Sequence, residues 1–226
     1  MAGVTSIFAR LLGSRNSAGR TPTRRHDVGI SAFSRGDYGS ALAFWQVWAD
    51  RGDASAQRNI GLSYGRGLGV PQDDAEAVGW YRRAADQGDP SAQHDLSCMY
   101  LAARGVPRDE QQAAYWERKS ADQGNASAQY GMGYLYEMGR GVPHDYAEAS
   151  RWYRKAAEQG EPHGQYGLGL LYAQGLGVPL DYAEAHSLFD LAVSGLPIDD
   201  AEFRQQVIKD RDQAARLVAT AHVDND

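Results

Sequence analysis

The chain has 226 residues, a formal net charge of −6, one cysteine and 26 glycines. Average usage gives about 16 glycines in this length, and only eight prolines accompany the excess, which excludes a collagen-like chain. No run approaches the ~18 apolar residues of a membrane-spanning helix, lone Cys98 builds no disulfide framework, and mild acidity makes no electrostatic case for nucleic-acid binding.

Residues 1–26 hold Arg10, Arg15, Arg20, Arg24 and Arg25 and no acidic residue. Val4, Ile7, Phe8, Leu11 and Leu12 fall at helical spacing. A secretory signal would place its cations before the apolar run, and here none precedes it. The segment is read as a disordered basic terminus with a short amphipathic tip. A weak anionic-membrane or partner-docking helix is the sharper alternative.

Residues 28–53 predict a helical hairpin, a short first helix and then Asp37, Ala41, Phe44, Trp45 and Gly52 along a second. From there a repeat takes over. Gly-Val-Pro occurs at 69–71, 105–107, 141–143 and 177–179, always 36 residues apart. The same step links Tyr64, Tyr100, Tyr136 and Tyr172, and also Ala77, Ala113, Ala149 and Ala185. Sixteen of the 26 glycines fall in five such columns, so the excess marks boundaries repeated once per copy. The repeats are placed at 54–89, 90–125, 126–161 and 162–197.

Each copy predicts two helices. Helix A starts behind Asp53, Asp89, Asn125 or Glu161, with Pro90 and Pro162 at a first helical position where a missing N–H costs nothing. It ends at the loop glycines. Helix B starts behind Asp73, Asp109, Asp145 or Asp181, each followed three residues later by Glu or Gln. It ends at Gly88, Gly124, Gly160 and their equivalent Gly52, where a left-handed residue closes a helix. The expected core is Ala56, Ile60, Ser63 and Tyr64 on the first helix A. On helix B it is Ala77, Trp80 or Tyr81, and Ala84, recurring as Ala113, Trp116, Ser120 and Ala149, Trp152, Ala156. Arg82/Asp86, Arg118/Asp122 and Arg154/Glu158 read as solvated i, i+4 pairs. The second copy departs most, with Ser97 in the column of Gly61 and Ala103 in that of Gly67. There helix A is expected to continue through Leu101 and Ala102 and the loop to be reshaped. A single hairpin cannot bury its apolar face, so copies must stack. A helix over 199–220, with Phe203, Val207, Ala214, Leu217 and Val218 on one face, is expected to cover the last copy and to leave 222–226 as a tail.

The string Ala-x-x-x-Ile-Gly-x-x-Tyr-x-x-Gly-x-Gly-Val-x-x-Asp, followed by Ala-x-x-Trp-Tyr-x-x-Ala-Ala-x-x-Gly, resembles the Sel1-like repeat, a relative of the tetratricopeptide repeat. The resemblance spans residues 28–195. It implies an all-α fold over 27–221, a right-handed α/α superhelical solenoid of helix-turn-helix repeats with capping helices. It also implies a protein-interaction adaptor, of the kind that serves bacterial signalling and complex assembly. Cysteine-rich secreted members described as penicillin-binding or weakly β-lactamase-like carry a disulfide in each repeat. One cysteine for four copies does not carry that activity over.

The residues themselves offer little chemistry. None of the six histidines has zinc-site spacing, and Cys98 has no CxxC partner. Gly65-Arg66-Gly67-Leu68-Gly69 lacks the strand and the lysine of a phosphate loop. No catalytic residue, cofactor or metal is assigned. In such superhelices helix A lines the concave side, and its non-consensus positions become the candidate protein-binding residues. They are Arg58, Leu62 and Arg66 in the first copy, and His94 and Cys98 in the second. Tyr130, Tyr134 and Met138 follow in the third, then Tyr166, Leu170 and Gln174 in the fourth. Tyr, Met and Arg are enriched at interfaces. For Tyr130 and Tyr166 packing against a neighbouring helix stands as an equal alternative. The expectation is a monomeric, cytoplasmic, non-enzymatic adaptor for a protein or peptide.

Overall fold

The computed structural model describes residues 23–197 and 199–223, eleven helices and no strand among them. The chain divides into two compact units, the first ending at Arg108 and the second beginning at Asp109. The first holds α1 (Thr23–Ser34), α2 (Tyr38–Ala49), α3 (Ala54–Arg66), α4 (Asp74–Asp86) and α5 (Pro90–Ala102). The second holds α6 (Glu110–Asp122), α7 (Ala126–Met138), α8 (Tyr146–Glu158), α9 (Pro162–Gln174), α10 (Tyr182–Gly195) and α11 (Ala201–Val223). Most of the basic head lies outside the described residues, but α1 begins at Thr23, inside the span read as disordered. At the other end α11 runs three residues past the expected 220.

The caps form as the side-chain chemistry requires. Asp53 accepts from the Ala56 N–H at 2.8 Å, Asp89 from Ala92 at 2.7 Å and Asn125 from Ala128 at 3.1 Å. Glu161, one methylene longer, reaches the His163 N–H only at 3.4 Å. At helix B, Asp73 accepts from both Ala75 and Glu76, and Asp145 and Asp181 repeat that arrangement. Each such cap contributes about 1 kcal/mol.

The far end of helix A departs from expectation in one copy. Gly67, Gly139 and Gly175 close α3, α7 and α9 in the left-handed conformation. Ala103 does the same after α5, with φ 54° and ψ 37°, the one non-glycine residue of positive φ among those described. The expected loop reshaping is therefore wrong: α5 has thirteen residues, as α3 does, and ends at the same column. The reason lies beyond the turn. The Arg104 N–H bonds the Met99 carbonyl, and the Arg104 guanidinium is fixed on α4, so the chain is held in a turn that glycine would adopt without strain.

Within each unit the core follows the alanine columns. Ala41, Ala56, Ala77 and Ala92 are fully buried in the first unit, and Ala113, Ala128, Ala149 and Ala185 in the second. A Cβ on Gly133 of α7 would lie 2.3 Å from the ring of Tyr153 on α8, and Gly61 and Gly169 stand in the same relation to Tyr81 and Phe189. Helix A thus carries glycine where helix B of the same hairpin inserts an aromatic ring. In the second copy those two columns hold Ser97 and Glu117, both buried.

One buried polar column was not anticipated, although it keeps the 36-residue step. Gln57, Gln93, Gln129 and Gln165 donate to the carbonyls of Ala49, Ala85, Ala121 and Ala157 at 3.1–3.4 Å, tying each helix A to the helix before it. A second correction concerns the arginines of helix B. Arg82, Arg118 and Arg154 donate to the hydroxyls of Tyr100, Tyr136 and Tyr172 in the following copy rather than forming the i, i+4 pairs expected.

Candidate functional site

The residues proposed to face a partner lie on helices A of both units. In the first unit the surface is largely self-engaged. Leu62 is buried in the core with Ile60 and Trp45, so it presents nothing to a partner. Arg58 donates to Asp95 at 2.6 Å, and both side chains are mostly buried. Burial lowers the Arg58 pKa, but the adjacent Asp95 carboxylate outweighs it and holds the guanidinium above its usual value. Arg66 is exposed at the end of α3. His94 and Cys98 sit one turn apart on α5, with Nε2 3.7 Å from Sγ, and the thiol is exposed.

In the second unit the surface is aromatic. Tyr130 of α7 stacks on Tyr153 of α8 at 5.8 Å between centroids and approaches His163 of α9 at 5.4 Å. His163 in turn stacks flat on Phe203 of α11, 4.9 Å away with 9° between planes. Tyr166 meets the edge of Phe203 at 5.1 Å and donates its hydroxyl to Asp210 at 2.8 Å. The capping helix therefore covers the last repeat as expected, but it does so on the surface where Tyr166 was placed for a partner. Leu170 and Gln174 fall in a cleft of about 220 Å³ where α11 leaves the hairpin, with Ala173, Tyr182, Ala214 and Leu217.

Tyr134 and Met138 are placed differently. Tyr134 is half-buried and its hydroxyl accepts from Arg140, while Met138, 51% exposed, is among the most exposed large apolar side chains described. Between them lies Glu137, which accepts from the Tyr153 hydroxyl. Burial, together with the bond to Glu137 and its charge, pushes the Tyr153 phenol far above the ordinary tyrosine range. Glu137 was missed in the sequence because its column reads Gly65, Leu101 and Ala173 elsewhere. A lone acid among small and apolar residues was the available signal.

Among the described residues no group of three His, Cys, Asp or Glu side chains is placed to hold a metal ion, and no helix is long and apolar enough to cross a membrane. What the second unit offers is recognition chemistry: ring faces, an exposed thioether and a carboxylate on one helix face.

A family model described as the Sel1 repeat matches residues 54–89, 90–125, 126–161 and 162–195. The chain belongs to the Sel1 repeat family. Among solved structures it is similar to a Sel1 repeat protein from Oxalobacter formigenes, with 31% identity and a TM-score of 0.68 over 82% of this chain and 84% of that one. It is also similar to c5321 of uropathogenic Escherichia coli, a protective antigen with the same fold, at 35% identity and a TM-score of 0.69. That match covers 75% of this chain and 37% of c5321. A curated relative, the DAP3-binding cell death enhancer 1 of Rattus norvegicus, is 41% identical over 51 residues. Those residues are 23% of this chain and only 10% of the rat protein. Sel1 repeat arrays are generally non-enzymatic protein-interaction scaffolds.

Proposed function

We propose that this Sel1 repeat protein is a cytoplasmic adaptor that holds a protein or peptide on its helix-A faces, in signalling or complex assembly. The observation that carries the reading is the outer face of α7. Tyr134 and Met138 stay accessible there, whereas their counterparts Leu170 and Gln174 on α9 line a cleft against α11. An exposed methionine beside a half-buried tyrosine is a common composition for a contact surface. The first-unit candidates contribute less to this reading, because Leu62 is core and Arg58 is paired with Asp95. Arg66, His94 and Cys98 remain candidates for a lesser share of the contact. The cytoplasmic placement is supported by a single free, exposed cysteine in 226 residues.

The test is a photo-crosslinking residue at position 138 of the full chain in its native cells, with the same residue at exposed Arg151 as control. A discrete adduct from 138, absent from 151 and lost on Tyr134→Ala, is the expected result. Adducts of equal yield from both positions would remove α7 as the binding face.

A further inference from the structure

We infer that the α7 face around Tyr130, Tyr134 and Glu137 takes a cationic segment of a partner protein, an arginine- or lysine-bearing peptide. This rests on the scaffold reading above and adds the chemistry of the occupant.

The charge balance is the first argument. Residues 109–226 hold nineteen acidic and ten basic side chains, an imbalance larger than that of the whole protein. How the acids of this surface are satisfied is the second. Glu137 accepts from a phenol, Asp210 accepts from the Tyr166 phenol and the Gln206 amide, and Glu161 is met by the backbone N–H and imidazole of His163. None of these three carboxylates has a guanidinium or an ammonium partner among the described residues. Elsewhere the contrast is direct, because Asp95 is paired with Arg58, Asp74 with Arg104 and Glu110 with Arg140. A carboxylate bonded by a phenol or an amide, as Glu137 and Asp210 are, has no formal positive charge beside it to offset its own.

The rings supply the third argument. Burial first, then the neighbouring Tyr134, Glu137 and Glu161, hold the Tyr130 phenol above the usual range. Ring faces beside carboxylates attract a cation twice, through the quadrupole and through the ion pair. The protein already uses this chemistry at the edge of the patch, where the Arg140 guanidinium lies 5.9 Å from the Tyr134 ring centroid while bonding Glu110 at 2.8 Å. Exposed Met138 adds an apolar rest for the stem of a long basic side chain. The carboxylates are too dispersed to share a metal ion, so the face suits an extended ligand.

Fluorescence anisotropy on the full-length protein tests this with three labelled peptides of equal length, arginine–serine, glutamine–serine and glutamate–serine repeats. The arginine–serine peptide is expected to bind best, with affinity falling as salt rises. Glu137→Gln, which keeps an acceptor for the Tyr153 hydroxyl, is expected to weaken it roughly tenfold at unchanged melting temperature, and Tyr134→Ala to weaken it similarly. Glu148→Gln on α8, whose carboxylate pairs with Arg151, is the control expected to change nothing. Equal losses from Glu137→Gln and Glu148→Gln would overturn the site. Binding of the neutral or acidic peptide in preference, still lost on Tyr134→Ala, would overturn the cationic occupant while leaving the scaffold reading intact. Binding of none of the peptides overturns the inference, and the crosslink from position 138 then decides the scaffold reading separately.

Discussion

Arg104, in the loop after α5, grips both carboxylate oxygens of Asp74, the first residue of α4, at 2.5 and 3.0 Å, and also donates to the Gly65 carbonyl at 2.8 Å. Thirty residues separate the pair, and the same offset recurs through the molecule. Arg140 bonds Glu110 at 2.8 Å in the second unit. In the two outer copies the matched positions are Leu68 with Tyr38 and Leu176 with Tyr146, and each pair joins a common apolar cluster. A charged loop residue thus meets a charged helix start, and an apolar one meets a tyrosine.

If this matching is what seats each loop, exchanging one class of pair for the other will be tolerated where single changes are not. Arg104→Leu is expected to cost about 1 kcal/mol, since the pair is bidentate but half-exposed. Adding Asp74→Tyr is expected to recover most of that loss in urea denaturation, whereas simple additivity would sink the matching idea. The bond from Arg104, ahead of a small opposing effect of burial, holds the Asp74 carboxyl below its ordinary value. A depressed folded pKa gives stability that is complete above the unfolded value of about 3.9 and is lost as pH falls through the folded one. The cost of Arg104→Leu should therefore shrink below about pH 4, and carbon-detected titration of Asp74 should show its midpoint rise in the variant.

Ala103 holds the conformation that glycine holds at 67, 139 and 175. The left-handed region costs a residue with a Cβ about 1 kcal/mol. Replacing it by Gly removes that strain but adds freedom to the unfolded chain. Ala103→Gly is accordingly expected to stabilise by roughly 0.5 kcal/mol, and Gly67→Ala to destabilise by about 1 kcal/mol, both read by thermal unfolding. A loss of stability in Ala103→Gly would show that the turn is not strained.

The Arg58–Asp95 pair joins α3 to α5 with only 11% and 21% of the two side chains exposed. Removing one partner leaves a largely buried charge alone. Arg58→Ala is expected to cost about 2–3 kcal/mol, near the lower end for buried pairs because Asp95 keeps some solvent. Arg58→Met with Asp95→Leu should lose much less. Chemical denaturation of the single and double variants decides this, and a single variant as stable as the parent would return Arg58 to the list of free surface residues.

What the sequence made legible follows from periodicity. Caps at Asp53, Asp73 and Asp89 and the buried alanine columns are each settled within one copy, and four copies repeat the evidence. Pairings that fix side chains around the helix-A faces run between copies, at offsets of 30 and 37 residues, as Arg104 with Asp74 and Arg58 with Asp95 show. A consensus averages these away, because the partners change together from copy to copy. The choice between packing and binding for Tyr166 stayed open for another reason. Its partners Phe203 and Asp210 lie on α11, which has no repeat to align with.

Tyr166 and Asp210 give the last test, because they separate holding the cap from holding a partner. Tyr166→Phe keeps the ring against Phe203 and Phe189 and removes only the hydroxyl that donates to Asp210. The loss is expected to be about 1 kcal/mol, concentrated in α11. Amide exchange should then quicken roughly fivefold along α11 while α7 and α8 stay unchanged, and the crosslink from position 138 should persist. Burial first, then the bond to Asp210, raises the Tyr166 phenol above its usual range. A raised folded pKa contributes stability that is full below the unfolded value of about 10 and is lost as pH rises beyond it. Exchange in α11 of the parent protein should accordingly lose its advantage over Tyr166→Phe only in strongly alkaline solution. Loss of the crosslink from 138 in Tyr166→Phe, with α11 still protected, would instead restore Tyr166 to the partner-binding face.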